Sequence, residues 1–305
     1  MNERSLLSLI ARRVERGNSD ELVLGIGDDC AVLRPRGARH DWLLTTDLMI
    51  EGVHFLAGVH PSVSVGYRAL ARGLSDIAAM GGRPRFCLVS LALGENTRTR
   101  WLDGFYRGLS ALARQHGVVI VGGDLSRARL AFCDIVVCGT APRGRFLRRD
   151  GARPGDRIFV SGRLGGSALG LEQRRGPAWT RHLRPAPRLE LGEFLRDHVG
   201  ATAAMDLSDG LSLDLHRLCL ASGVSAVLER EPPRFPGATL EQALHGGEDY
   251  ELLFTVPAKA KPPAVFEGIP LTEIGFVRLG RPGRVWFRGK PLPPRGWDPF
   301  RQAAQ

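Results

Sequence analysis

Aspartates that stand between short apolar runs, several of them beside glycines, constrain the fold of this chain more than any other feature of its sequence. They lie in the stretches 25–30, 45–47, 74–77, 122–124 and 205–210. A carboxylate inside a segment apolar enough to be buried is costly unless a cation or a metal ion compensates its charge. It is improbable that every one of these acids has an arginine partner. Convergence of several carboxylates on divalent cations is simpler, and Mg²⁺ combines carboxylate oxygens with substrate phosphates.

Each aspartate taken alone also fits an ordinary structural role. Asp28 and Asp29 fit a turn after a strand, and Asp124 fits a turn at a strand end. Asp76 fits a helix position paired with an arginine, and Asp209 fits a turn or a helix N-cap. The hypothesis of a metal-binding cluster therefore depends on the set and not on any single member.

The pattern of apolar residues predicts a mixed α/β fold in two domains, since 305 residues allow two domains of about 150 residues each. Helical spacing indicates helices at 5–17, 64–80, 99–115, 188–198 and 210–222, and short apolar runs indicate strands at 31–33, 42–46, 86–93, 118–121, 132–140, 158–160, 250–256, 272–276 and 284–287. Residues 176–187 and 257–270 are proline-rich and are predicted to be exposed connections. Glycines and prolines cluster at 142–156, which places the boundary between domains at 1–145 and 146–305.

Composition excludes several classes of protein. Hydrophobic residues make up 43% of the chain, enough for a core, and no apolar run approaches the ~20 residues that span a bilayer. The net charge of +10 suggests nucleic-acid binding, but the basic residues are almost all arginines, spread along the chain without interleaved aromatics. The five cysteines form no C-x-x-C pair and the N-terminal apolar patch is too short for an export signal, so we expect a cytoplasmic protein with reduced thiols.

Common nucleotide-binding motifs are missing, while one acidic segment is distinctive. The sequence contains no P-loop, no Gly-x-Gly-x-x-Gly after a predicted strand and no protein-kinase motifs. In the segment 245–254, two glycines precede Glu248, Asp249 and an alternating strand. This segment fits either a plain loop entering a strand or a loop that brings Glu248 against a ligand.

Taken in order, the acidic stretches resemble the thiamine-monophosphate kinase family, whose members phosphorylate thiamine phosphate to thiamine diphosphate. The resemblance rests on Gly-Ile-Gly-Asp-Asp-Cys-Ala at 25–31, Thr-Thr-Asp at 45–47, Leu-Ser-Asp-Ile-Ala-Ala-Met-Gly at 74–81, Gly-Gly-Asp at 122–124, Gly-Ala-Arg-Pro-Gly-Asp at 151–156, Asp-Leu-Ser-Asp-Gly-Leu at 206–211 and Gly-Gly-Glu-Asp-Tyr-Glu-Leu at 246–252. The aspartates alone indicate the wider superfamily of aminoimidazole ribonucleotide synthetase-like ATP enzymes. The resemblance implies two α/β domains, a homodimer in which the N-terminal domains join their sheets, and ATP bridged by magnesium.

The resemblance also implies roles for particular residues. The implied Mg²⁺ ligands are Asp29, Thr45, Thr46, Asp47, Asp76, Asp124, Asp206 and Asp209. The implied nucleotide contacts are Tyr106, Gly123, Asp124, Arg149 and Ser208, and the implied contacts to thiamine phosphate are His54, Glu248 and Trp297. Asp47, Asp76, Asp124 and Arg149 are the expected catalytic residues. The sequence departs from the family pattern at Leu125-Ser126, where two threonines are usual, and at Gly73, where asparagine is common.

The mechanism that these residues suggest is direct in-line attack by the phosphate of thiamine phosphate on the γ-phosphorus of ATP. The nucleophile is already an anion, so no general base is required. Repulsion between two polyanions is the main obstacle, and metal ions held by aspartates together with Arg149 would offset it.

Other functions fit part of the pattern. A selenophosphate synthetase, an aminoimidazole ribonucleotide synthetase or a hydrogenase-maturation protein would share the aspartates. The first of these is expected to carry a reactive cysteine near its N-terminus, whereas the first cysteine here is Cys30, inside the first motif. A non-catalytic, basic nucleotide- or RNA-binding protein is an alternative of a different class, in which the aspartates would be free to vary.

Overall fold

A computed structural model of the chain describes residues 3–14, 19–95 and 97–300. The first half contains α1 (Glu3–Arg13), β1 (Leu22–Leu24), β2 (Ala31–Leu33), β3 (His40–Ile50), α2 (Ser62–Ala79), β4 (Arg83–Leu93), α3 (Thr99–Gln115), β5 (Val119–Arg127) and β6 (Phe132–Pro142). The second half contains β7 (Arg157–Ser161), α4 (Gly166–Gln173), α5 (Gly176–Leu183), α6 (Leu189–Phe194) with a π-helical turn at Leu195–Val199, β8 (Ala203–Asp206), α7 (Leu211–Ala221), β9 (Ser225–Leu228), α8 (Leu240–His245), β10 (Leu252–Val256), β11 (Val265–Phe266), β12 (Ile269–Arg278), β13 (Val285–Phe287) and β14 (Lys290–Pro291). Among these residues no helix is long and apolar enough to cross a membrane.

The N-terminal sheet has six strands in the order β1-β2-β3-β6-β4-β5. Helices α2 and α3 pack against one of its faces, and their small residues let the backbones come close. A side chain at Gly66 or Gly108 would collide with the backbone of the other helix, since an added Cβ would lie 1.9 or 1.8 Å from a carbonyl oxygen of that helix. The inner face of the sheet and α2 therefore form one core, with Leu43, Ile77 and Ile135 fully buried in it.

The C-terminal half forms an eight-stranded sheet whose main order is β14-β13-β9-β12-β7-β10-β8, with β11 paired to β12. Helices α7 and α8 cover part of it through a second core that includes Leu215 and Leu218. Helix α2 contacts elements of both halves, since it packs on β3 and β6 as well as on α5, α6 and β8. Side chains on α2 are thereby placed between the two sheets.

The predicted α/β class and most predicted elements are confirmed, and four segments differ. The segment 257–270, predicted to be a connection, contains the short strand β11 and the start of β12, which pair with each other. The structure has a helix, α5, in the proline-rich segment 176–187; Pro177 stands in its first turn, where a missing N–H costs nothing. Strand β5 continues through Gly123, where an added Cβ would lie 1.9 Å from the Val89 carbonyl oxygen. The predicted first helix, 5–17, is found as α1 up to Arg13; residues 15–17 lie outside the described part of the chain.

The cysteines behave as predicted. Four of the five are buried and the fifth, Cys138, is half-buried; none of them forms a disulfide. Burial raises the pKa of Cys30, Cys87 and Cys219, so these thiols stay protonated at neutral pH. They act as small apolar side chains in the two cores.

Candidate active site

One face of α2 carries charged residues into the space between the two sheets. Arg68, Arg72 and Asp76 are spaced four residues apart, so they project from the same side of the helix. Arg68 donates to the Glu248 carboxylate, and Arg72 donates to the Asp47 carboxylate at 2.9 Å. The helix therefore connects the β3 acids with the loop before β10.

Asp29, Asp76 and Asp206 form a compact carboxylate cluster, which we call the aspartate triad. Oxygens of the three side chains lie within 4.8 Å of one another. Asp76 accepts a hydrogen bond from Thr45 Oγ1 at 2.5 Å, and Asp206 accepts one from Ser75 Oγ at 2.7 Å. The chain thus brings acids from the loop before β2, from α2 and from the end of β8 to a single point.

The residues around the triad do not fully neutralise the negative charge of its carboxylates. Burial and then repulsion by Asp47 and the other triad members raise the pKa of Asp76 well above its ordinary value. Burial and then repulsion by Asp29 raise the pKa of Asp206 to about 7. Arg149 donates to one oxygen of Asp29, while the other oxygen, Oδ2, is buried without a hydrogen-bond partner among the described residues. A cation bound here would relieve both the repulsion and the orphaned oxygen.

The remaining predicted acids next to the triad are paired with arginines. Asp47 accepts from Arg72, and Asp209 accepts from Arg217. Asp209 does not cap helix α7, whose N-cap position is Gly210. The two acids still line the same cleft as Asp76 and Asp206, and each keeps oxygen lone pairs for a further ligand.

A cleft of about 430 Å³ lies beside the triad. It is lined by Asp47, Val53, His54, Phe55, Leu56, His60, Arg72, Asp76, Ser167, Ala168, Leu171, His182, Asp206, Ser208, Asp209, Gly247, Glu248, Tyr250, Trp297 and Pro299. Asp76, with Asp206 beside it, lies about two helical turns along α2 from Arg68, the partner of Glu248. Apolar and aromatic side chains make up much of the remaining lining. The cleft is therefore suited to a ligand that has a strongly anionic part and an apolar ring part.

The loop that carries Glu248 is held in an unusual conformation. Glu248 and Tyr250 have φ angles of 64° and 50°, in the left-handed region that few residues other than glycine adopt. The loop is fixed by hydrogen bonds from the Glu248 N–H to the Ser208 carbonyl at 2.7 Å and from the Tyr250 N–H to the Leu207 carbonyl at 2.9 Å. Such held conformations are typical of ligand-binding sites.

Arg68 links two of the three residues predicted to contact the substrate, His54 and Glu248. It is fully buried, donates to the His54 carbonyl at 3.1 Å and pairs with Glu248. Burial works against the charge of Glu248, yet Arg68 and the neighbouring charges hold the pKa of Glu248 below its ordinary value. The His54 ring accepts from the Ile50 N–H at 3.0 Å, and burial lowers its pKa to about 4, so the ring is neutral at pH 7.

Four of the predicted site residues lie away from the cleft within this chain. The Thr46 side chain is on the outer face of the N-terminal sheet, where it donates to Asp134 at 2.7 Å. Gly123 and Asp124 are on the edge strand β5, separated from β3 by β6 and β4. This places Gly123 roughly 14 Å from Asp47 at the usual strand spacing. Tyr106 is half-buried on α3 beside Phe105.

Several residues of the site were not expected from the sequence. They are Arg68, Arg72, Ser75, His60, His182 and Ser167. The sequence does contain a pattern that points to the two arginines, because Arg68, Arg72 and Asp76 repeat at four-residue spacing inside an otherwise apolar helix. No such pattern points to the two histidines, since they lie 122 positions apart and meet only in the folded chain.

Comparison with known proteins agrees with this architecture. Residues 27–141 match the family described as AIR synthase related protein, N-terminal domain. The thiamine-monophosphate kinase of Salmonella typhimurium is 39% identical over 319 aligned residues, which cover 92% of this chain and 96% of the relative. The hydrogenase maturation protein HypE in complex with ATP shares the fold, with a TM-score of 0.70 at 22% identity over 90% of each chain.

A solved structure described as AaThiL complexed with AMPPCP and TMP has a TM-score of 0.87 at 35% identity, covering 98% of this chain and 97% of that one. The likeness thus extends over both sheets and the cleft between them, at an identity well above that of HypE. The chain belongs to the thiamine-monophosphate kinase family.

Proposed function

We propose that this chain transfers the γ-phosphate of ATP directly to thiamine phosphate in the cleft beside the aspartate triad, with Mg²⁺ held by the triad. ATP-dependent phosphorylation of thiamine phosphate is the activity of its family. The observation that carries the assignment to this cleft is its mixed lining. Asp76 and Asp206 of the triad lie about two turns of α2 away from Arg68, which holds Glu248 and the His54 carbonyl. The likeness to AaThiL, which was solved with AMPPCP and TMP, supports ATP and thiamine phosphate as the substrates.

The triad fits a hard divalent cation. Three carboxylates with oxygens within 4.8 Å, a buried oxygen without a partner among the described residues, and raised pKa values are features that suit the binding of a cation. Asp29, Asp76 and Asp206 would hold the ion, and Thr45, Asp47 and Asp209 lie close enough in sequence and structure to complete a set with it. Bound Mg²⁺ would neutralise charge on the phosphates of both substrates.

The remaining steps depend on residues of the chain. A terminal oxygen of thiamine phosphate attacks the γ-phosphorus, forming a new P–O bond, while the bond from that phosphorus to the oxygen bridging to the β-phosphorus breaks and ADP leaves. Arg149, beside Asp29, supplies a fixed positive charge next to the triad. Glu248, His54 and Trp297 orient the ring part, so that the phosphate of the acceptor points towards the triad.

A homodimer is the second part of the proposal. Strand β5 is an edge strand, and the outer face of the N-terminal sheet exposes large apolar side chains, including Leu48, Phe86, Leu88 and Phe132. An open edge and an apolar face are both usually covered in solution. Joining two N-terminal sheets would cover both, and it would bring Thr46, Gly123, Asp124 and Tyr106 nearer to a second chain. Thr46 and Asp124 as Mg²⁺ ligands, and Gly123, Asp124 and Tyr106 as nucleotide contacts, remain our predictions. Sedimentation analysis distinguishes the dimer from a monomer.

The activity assay that tests the proposal follows thiamine diphosphate formation from thiamine phosphate, ATP and Mg²⁺. We expect product with the monophosphate, none with EDTA and none from free thiamine. Loss of activity in Asp47→Asn and Asp76→Asn, with an unchanged circular dichroism spectrum, would place the chemistry at this cleft. Near-normal turnover in both variants would contradict it.

The alternatives considered from the sequence are less well supported. Of the sister enzymes, the hydrogenase maturation protein HypE shares the fold, but at only 22% identity, which shows the fold alone. A non-catalytic RNA-binding role would give binding that weakens steeply with salt and does not depend on the triad. A cytoplasmic location remains a prediction from the sequence.

A further inference from the structure

Three polar residues near Glu248 form a chain of hydrogen bonds. His60 Nε2 lies 3.0 Å from His182 Nε2, and His182 Nδ1 lies 2.8 Å from Ser167 Oγ. All three residues line the cleft although each is 5% exposed or less. The Trp179 ring stacks on His182, with centroids 5.1 Å apart, and meets His60 edge-on at the same distance, so the two imidazoles are held in place.

The chain has a fixed direction, which follows from one backbone group. The Leu56 N–H points at His60 Nδ1 at 3.1 Å, and a backbone N–H can only donate. His60 Nδ1 is therefore the acceptor, and the neutral ring carries its hydrogen on Nε2. That hydrogen is donated to His182 Nε2, so His182 carries its own hydrogen on Nδ1 and donates it to Ser167 Oγ.

The charge state of both rings agrees with this direction. Burial, followed by the charge of Arg68, lowers the pKa of His182 to about 3 and also lowers that of His60. Glu248 acts in the opposite sense on both rings but does not outweigh burial. Both imidazoles are thus neutral at pH 7, and each has one donor and one acceptor nitrogen.

Ser167 is left with a hydrogen to donate. Its oxygen accepts from His182, and its backbone N–H donates to Asp249 at 3.1 Å. Within the described residues the structure gives no acceptor for the hydroxyl hydrogen. An almost fully buried hydroxyl that is forced to donate and faces a cleft is a feature of a ligand-binding site.

Glu248 supplies an acceptor next to this donor. Its Oε2 lies 3.7 Å from His182 Nδ1, the same nitrogen that contacts Ser167, while its Oε1 is occupied by Arg68. Ser167 and Glu248 therefore present a neutral donor and a charged acceptor side by side. An aminopyrimidine offers the complementary pair along one edge, with a ring nitrogen that accepts and an exocyclic amino group that donates.

We propose that Ser167 donates a hydrogen bond to the ring nitrogen of the aminopyrimidine of thiamine phosphate while Glu248 accepts one from the adjacent amino group. Ser167 is thus a specificity-determining residue, and His182 and His60 are positioning residues that keep its hydroxyl in the donor role. The inference rests on the proposed function, because it takes thiamine phosphate as the ligand of this cleft.

The first experiment compares two ligands by calorimetry in the presence of AMPPCP and Mg²⁺. Oxythiamine phosphate carries a carbonyl in place of the amino group and a hydrogen on the neighbouring ring nitrogen, so it reverses the hydrogen-bonding pattern. The wild-type protein is expected to bind thiamine phosphate much more tightly than this analogue. Ser167→Ala should weaken binding of thiamine phosphate by about tenfold and reduce the preference between the ligands by a similar factor.

Ser225→Ala is the matched control for this variant. Ser225 is also fully buried and its hydroxyl also donates, to the Arg278 carbonyl, but it lies on β9 and does not line the cleft. Its loss should leave the ligand preference unchanged. An unchanged preference in Ser167→Ala, with a wild-type protein that forms thiamine diphosphate, would overturn this inference and leave the proposed function intact. A wild-type protein that binds neither ligand and forms no product would overturn both.

The positioning role is tested by two substitutions and a spectroscopic measurement. His182→Asn places an amide N–H near the position of Nδ1 and should keep most of the preference, whereas His182→Leu should lose it. Nitrogen-15 shifts of the wild-type histidines should show hydrogen on Nε2 of His60 and on Nδ1 of His182. The opposite tautomers, or equal preference in the asparagine and leucine variants, would refute the positioning role.

Discussion

Two buried carboxylates, Glu251 and Asp206, lie at the same end of two neighbouring strands. The chain surrounds Glu251 with positive charge and Asp206 with negative charge. Glu251 stands just before β10, where the next residue, Leu252, pairs with Asp206 at the end of β8. Glu251 receives Arg181, Arg188 and the Ser161 hydroxyl. Asp206, one residue pair away, receives a hydroxyl and faces two other carboxylates.

The pKa values express this difference. Burial works against ionisation of Glu251, yet its two arginines hold the pKa of Glu251 below the ordinary value. Burial and like charges raise the pKa values of Asp76 and Asp206. The charge of the first site is balanced within the chain, which fits a role in stability. The charge of the second is not balanced within the chain, which fits the proposed metal and phosphate site.

The largest expected effect is on catalysis by the triad. Asp76→Asn keeps the size of the side chain and removes its charge, so we expect the rate of thiamine diphosphate formation to fall by about 10³-fold or more, roughly 4 kcal/mol in the barrier. The melting temperature without Mg²⁺ should stay the same or rise, because repulsion inside the triad is reduced. Steady-state kinetics and calorimetric melting measure the two quantities.

Asp156→Asn is the matched control for that substitution. Asp156 is also buried and also accepts from a hydroxyl, that of Thr202 at 2.6 Å, but it does not line the cleft. Its replacement should leave the rate within about twofold of wild type, since an asparagine oxygen can still accept. An equal loss of activity in both variants would mean that Asp76→Asn lowers activity by destabilising the fold and not by changing the reaction.

The next effect in size is on stability at the arginine-paired site. Glu251→Gln leaves Arg181 and Arg188, which are largely shielded from solvent, without their counter-charge, so we expect the free energy of unfolding to fall by about 3 kcal/mol. Denaturant unfolding measures this change. Glu273→Gln, which breaks a half-exposed pair with Arg157, should cost less than about 1 kcal/mol. Equal losses of unfolding free energy in the two variants would mean that Glu251 contributes no more to stability than a half-exposed ion pair.

Local patterns predicted most of the fold, and the reasons for the exceptions are physical. The periodicity in α2 and α3 is strong because one face of each is apolar, and both helices are found close to the predicted bounds. Helix α5 is not predicted by its sequence, because Pro177 and Pro185 lie at its two ends and prolines so close together are typical of loops. Proline is compatible with a first turn, so its presence alone cannot exclude a helix.

The site was predictable only where the chain is locally unusual. Acids set between apolar runs point to Asp29, Asp76 and Asp206, which the structure brings together. The partners of Glu248 could not be inferred, because Arg68 reaches it across 180 residues of sequence. Pairing over such distances is set by the packing of α2 between the sheets, which no local pattern encodes.

A smaller effect separates the two sites by their response to Mg²⁺. At a concentration tenfold above its dissociation constant, Mg²⁺ should stabilise the wild-type protein by about 1.4 kcal/mol, since it binds the folded state. Asp206→Asn should lose most of this stabilisation, while Glu251→Gln should keep it. Melting curves with Mg²⁺ and with EDTA test the prediction, and stabilisation of Asp206→Asn equal to that of wild type would place the ion elsewhere.

The smallest expected effect is a pH dependence of opposite sign at the two sites. The pKa of Asp206 is about 7 in the folded state and 3.8 when unperturbed, so the folded state binds more protons between these values. Without Mg²⁺, its contribution to stability therefore falls as the pH rises towards 7. Glu251 has a lowered pKa, so its contribution is present above about pH 4.5 and is lost as the pH falls through the folded-state pKa.

Unfolding free energies of three proteins between pH 3 and pH 8, in EDTA, measure this contrast. Between pH 5 and pH 7, the free energy of unfolding of the wild-type protein should fall by about 1 kcal/mol relative to that of Asp206→Asn. One pKa unit corresponds to about 1.4 kcal/mol, and the effect of this one residue is smaller than its full shift because the triad shares its protons. Relative to Glu251→Gln, the wild-type advantage should shrink only at the acid end. If both differences changed in the same direction with pH, the two sites would have the same electrostatic character, and the triad would have no need of an external cation.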